Sequence, residues 1–105
     1  MDSPERREEI AAYIDKVNAE LAKRRKRVLE LEKELSDLQM QVEEAGTKIR
    51  RGVGDAAVAA ASASFMASVG KRRKLLDEQL GEARSDVQRA EDRLRTATQE
   101  MDQLN

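Results

Sequence analysis

The sequence predicts an all-α protein, two long helices folded against each other as an antiparallel coiled-coil hairpin with its turn centred near Gly52. Three observations carry this reading. Charged residues make up 39% of the 105-residue chain and aromatic residues only 2%, too few large rings for an ordinary globular core but the composition of long helices. Apolar residues recur in steps of three and four along two tracts of roughly forty residues each, the period of a coiled-coil seam. A disordered chain of similar charge lacks such a period. Between the tracts, "GTKIRRGVGDAAVAAASASFM" at residues 46–66 breaks the charge pattern with three glycines and a dense run of Ala and Ser.

The first helix is expected over about residues 4–49. Ser3 reads as its N-cap, and Pro4 suits the first helical position, where its missing N–H costs nothing. The seam then runs Ile10, Ile14, Val17, Leu21, Arg24, Val28, Leu31, Leu35, Leu38, Val42, Ala45, Ile49; ten of these twelve sites are large and apolar. Residues 50–55 form the turn, where Gly52 and Gly54 supply the positive φ angles of a tight reversal. Asp55 caps the second helix, expected over about residues 56–103. Its seam is Ala59, Ser62, Met66, Val69, Arg73, Leu76, Leu80, Ala83, Val87, Ala90, Leu94, Ala97, Met101, Leu104. The whole chain, 1–105, reads as one domain.

A single straight helix pairing with a second copy is the competing arrangement. Two closely spaced glycines in a helix interior cost about 1 kcal/mol each and argue against it. Folding back at Gly52 makes facing residue numbers total 104, which sets large residues against small ones: Ile14 by Ala90, Leu21 by Ala83, Val42 by Ser62. Flanking charges agree for Arg25 by Asp77, Glu34 by Arg72 and Arg6 by Glu100, with Glu20 by Asp86 the discordant pair. The hairpin is therefore expected as a monomer.

Composition also narrows the chemistry. The chain has no histidine and no cysteine, which removes the commonest bases, nucleophiles and transition-metal ligands; no enzymatic activity, cofactor or metal is expected. "GVGD" lacks the preceding strand and following Lys-Ser/Thr of a phosphate loop. Net charge is −1, so no long-range field draws the molecule toward nucleic acid or anionic lipid. The basic runs "KRRKR" at 23–27 and "KRRK" at 71–74 have no interleaved aromatic to stack on bases. In the 104 register the first lies near Asp77 and Glu78 and the second beside Glu30, Glu32 and Glu34, so they are read as intramolecular charge matching. No apolar run approaches membrane-spanning length and "MDSPERREEI" is unlike a signal peptide, so a cytoplasmic protein with no membrane insertion is expected.

Arg24 and Arg73 interrupt the seam and read as register locks that snorkel outward. Several apolar residues fall off the seam: Met40 at f, Leu29 at b, Leu75 at c, Val58 and Phe65 at g. Met40, Val58 and Phe65 are candidates for a partner-docking patch, with the covering of Gln41 and Leu38 by Phe65 as the structural alternative. Near the far end, Ala97, Met101 and Leu104 have only Arg7 and Ser3 opposite them in the 104 register, which makes them a second candidate patch.

The bend followed by "GDAAVAAASASFMASVGKRRKLLDEQL" resembles the FliJ/YscO family, the small stalk proteins of flagellar and virulence type III secretion systems. The match lies in the spacing from the turn to Phe65, the "FMASV" at 65–69, and the basic-polar run into Leu76 and Leu80; it spans roughly residues 45–100. The resemblance implies a non-enzymatic stalk or adaptor at the cytoplasmic side of a membrane-embedded secretion apparatus, one end entering a hexameric secretion ATPase and a face nearer the bend docking on the export-gate membrane protein. Secretion chaperones are a further implied partner class. Phe65 and Val69 match the family's docking positions, whereas Arg72 stands where the family often has a small residue. A plain coiled-coil scaffold and a helical-hairpin arm that grips tRNA are the alternatives.

Overall fold

The computed structural model describes residues 3–51 and 54–104. They form two α-helices, α1 over Ser3–Arg51 and α2 over Ala56–Leu104, with no strand among the described residues. The fold is the all-α antiparallel hairpin that the heptads predict. Gly52, the expected centre of the turn, and Val53 lie outside the described residues. Gly54 takes φ +95°, the left-handed region that glycine enters without steric cost.

The helix ends have local causes. Lys48, Arg50 and Arg51 lie in the last turn of α1, where cations complement the helix dipole, and α1 runs two residues past the expected Ile49. Asp55 caps α2 as predicted: its Oδ1 accepts from the Ala57 N–H at 2.9 Å and the Val58 N–H at 3.4 Å. The last turn of α2 carries no basic residue of its own. Instead Arg7, from α1, donates to the Leu104 carbonyl at 2.6 Å and occupies one of the acceptors a helix terminus leaves open.

The chain divides into two compact units, each an antiparallel helix pair. Unit 1 comprises Met1–Val28 and Glu82–Asn105; unit 2 is Leu29–Gly81. Every apolar seam residue of α1 is buried or half-buried, as the period requires. In unit 1 the core is Ile10, Val17 and Leu21 against Ala83, Ala90 and Ala97. Alanine at every seventh position of α2 leaves only a methyl at those levels of the seam, with the half-buried Val87 and Leu94 between them. In unit 2 the core is Leu31, Val69, Leu76 and Leu80. Full burial of a leucine such as Leu31 contributes about 1.5–3 kcal/mol. No buried side-chain polar atom among the described residues lacks a hydrogen-bond partner.

The register differs from the expected one. The most deeply buried residues match at numbers totalling 107: Val17 (1% exposed) with Ala90 (0%) in unit 1, and Leu31 with Leu76 (1% each) in unit 2. Shared surface depressions follow the same total, with Ile10 beside Ala97 and Arg24 beside Ala83 in unit 1, and Leu38 beside Val69 and Ala45 beside Ser62 in unit 2. The described ion pairs joining the helices total from 106, for Arg6 with Glu100, to 116, for Arg25 with Glu91. The shift of three from 104 sets d sites of α1 opposite d sites of α2, Ile10 by Ala97, Val17 by Ala90, Leu31 by Leu76 and Leu38 by Val69, with Arg24 by Ala83 as the polar exception.

Near the bend, α2 also turns about its axis. Ala59 and Met66, expected in the seam, are exposed, while Val58 and Phe65, expected beside it, are half-buried. Neighbouring residues lie about 100° apart on a helix. Turning Val58 and Phe65 inward covers more apolar surface than Ala59 and Met66 would.

Candidate interaction surfaces

Arg24, Arg25 and Arg72 of the basic runs are paired within the molecule. In unit 1, Arg24 pairs with Asp86 at 3.2 Å and Glu20 at 3.6 Å, and Arg25 pairs with Glu91 at 3.6 Å. The expected partners of this run, Asp77 and Glu78, are replaced because the 107 register moves α2 along. In unit 2, Arg72 donates to Glu34 at 3.0 Å, the predicted pair. All of these are partly exposed and individually worth a few tenths of a kcal/mol.

Along one side of unit 1 the g positions form a ladder. Arg6 bonds Glu100, and Arg93 donates to Glu20 at 2.9 Å while also meeting Tyr13. The hydrogen bond from Arg93 holds the Glu20 carboxyl below its ordinary range, and the same bond raises the Arg93 guanidinium. The hydrogen bond to Glu100 raises Arg6 likewise. Beside this ladder lies a depression of about 490 Å³ bounded by Arg6, Ile10, Tyr13, Arg93 and Ala97. Ala97, proposed from the sequence as a poorly covered docking residue, is buried here at 4% exposure because the 107 register sets Ile10 opposite it. Met101 and Leu104 are half-buried.

In unit 2 a groove of about 470 Å³ lies close to the bend, lined by Gln41, Ala45, Lys48, Val58, Ser62 and Phe65. Phe65 and Val58 share this surface with Gln41, so the covering role foreseen for Phe65 and a groove-lining role occur together. Val69 is buried in the seam, and Met40 is 57% exposed on the outer face of α1. Of the sequence candidates, the structure brings together Val58 and Phe65 alone. Sequence reasoning missed Tyr13, whose signal was its g position one heptad after Arg6.

Among the described residues no group of three or more acidic side chains is placed to hold a metal ion, and no helix is long and apolar enough to cross a membrane. The charged side chains form ion pairs at helix edges rather than converging on one enclosed point. Compared with models of known protein families, with curated proteins and with solved structures, the chain matches none.

Proposed function

We propose that this hairpin is a non-enzymatic stalk or adaptor of a type III secretion or flagellar export apparatus, coupling the secretion ATPase to the export gate from the cytoplasmic side. The observation that carries the reading is the groove lined by Val58 and Phe65 just after the bend, Phe65 being one of the two docking positions the family resemblance gives, while the other, Val69, packs in the seam beneath. Supporting it, Arg6, Arg24, Arg72 and Arg93 are paired within the molecule along the helix edges, as a ribbon that holds its own shape requires. A two-helix ribbon needs no ligand to hold its shape and presents different surfaces in its two units.

Light scattering of the chain mixed with a secretion ATPase, and with the cytoplasmic domain of an export gate, tests this. Association with both is expected, and Phe65→Asp is expected to lower export-gate affinity about tenfold or more while leaving ATPase binding and helicity intact. Failure to bind either protein overturns the reading. Steeply salt-dependent binding to tRNA instead would replace it with the nucleic-acid arm.

A further inference from the structure

Ala59 and Met66 keep the heptad step yet stand outside the seam, Met66 with 44% of its surface exposed. By their heptad positions they lie on the side of unit 2 away from the Phe65 groove. On that side a second groove of about 380 Å³ is lined by Leu35, Leu38, Val42 and Val69, with Arg73 and Asp77 at its rim. The three α1 residues are only half-buried, so the seam is open here. Leu29, 66% exposed, lies at the α1 edge of the same face. Along α2, Ala59, Ala63, Met66 and Gly70 are all exposed and follow steps of four, three and four, a second apolar seam beside the first. A Cβ placed on Gly70 of α2, or on Gly46 of α1, would meet nothing within 4 Å, so another helix has room to approach.

We propose that this face of unit 2 docks on the same face of a second copy of the chain, forming a four-helix bundle. Charge selects a second copy as the occupant. The α1 edge of the face carries Glu32 and Glu43, and the α2 edge carries Arg73 and Lys74 with Asp77 beyond them, so the first edge is acidic and the second net basic. Acid on one edge and base on the other is self-complementary under a two-fold axis parallel to the helices, which lays each α1 edge over the other copy's α2 edge. With facing numbers totalling 107, Glu32 comes level with Lys74 of the second copy, and Gly46 with its Ala60 and Ala63. A foreign helix would have to supply both signs in that order, whereas symmetry supplies them here. The face is separate from the Phe65 groove, so dimerisation stands or falls independently of the secretion role.

Sedimentation equilibrium of the full chain across the micromolar range tests the proposal. The expected result is a concentration-dependent mass approaching twice 11.8 kDa. Met66→Glu is expected to raise the dissociation constant about tenfold or more with helicity retained, and Met40→Glu, on the outer face, to leave it unchanged. Glu32→Lys and Lys74→Glu should each weaken the dimer, and the double variant should recover it. A mass of 11.8 kDa at every concentration overturns the proposal, as does a dimer indifferent to Met66→Glu and to the charge exchange.

Discussion

The guanidinium of Arg24 donates from Nη1 to Oδ2 of Asp86 at 3.2 Å, and its Nη2 lies 3.6 Å from Oε1 of Glu20. Glu20 and Asp86, the discordant charge pair of the expected register, both pair with Arg24. A cation leaning out of the seam is what separates them, so the exception in the sequence charge pattern and the exception in its apolar pattern answer one another.

Arg24 holds this place at the expense of apolar contact, since its neighbour across the seam is Ala83. Arg24→Leu is expected to raise stability by about 1 kcal/mol, because a leucine there buries more than the partly exposed ion pairs contribute. Urea denaturation followed by circular dichroism measures this. A drop in stability would show that Arg24 matters more as the bridge between Glu20 and Asp86 than as an interruption of the core.

Glu20 gives the molecule a defined pH response. Its carboxyl lies below the ordinary range in the folded state, chiefly through the hydrogen bond from Arg93. The associated stabilisation is present above the unfolded-state value and is lost as pH falls through the folded-state value. Comparing Glu20→Gln with the parent across the acid range, the gap between their urea midpoints should close as the pH drops through the carboxylate region. A gap that stays constant to the acid end would assign the effect of the substitution to packing.

The same substitution should act in opposite directions at two glycines. Gly81 is exposed within α2 and an added methyl meets nothing within 4 Å, so Gly81→Ala is expected to stabilise by about 0.5–1 kcal/mol. Gly54 holds φ +95°, which an alanine enters only with strain, so Gly54→Ala is expected to destabilise by about 1 kcal/mol. Thermal melts of the two variants check the pair, and equal shifts would contradict the backbone assigned to the bend.

The helices, their antiparallel pairing and the Asp55 cap are legible in the residues because each rests on local chemistry: the apolar step, the glycines, a carboxylate just before a helix. Register is harder to read. Moving α2 by three residues puts Val17 over Ala90 where Ile14 was expected, and both arrangements set large apolar residues of α1 against apolar residues of α2 such as Val69, Leu76 and Ala90. Only fit at close range, which a periodic pattern does not encode, separates them. The rotation near the bend escapes for a similar reason, since Val58 with Phe65 and Ala59 with Met66 are both apolar pairs at heptad spacing. The surfaces inherit these differences: Ala97 is withdrawn into the core by the register, and Met66 is turned out of it by the rotation.

Tyr13 is the only tyrosine in a chain without tryptophan, and it lies in unit 1 beside Arg93. Its ultraviolet fluorescence therefore reports on that half alone, whereas the amide signal averages over every turn of both helices. Melting curves recorded by the two signals on unlabelled material will coincide if the ribbon opens all at once, and will separate if one half lets go first.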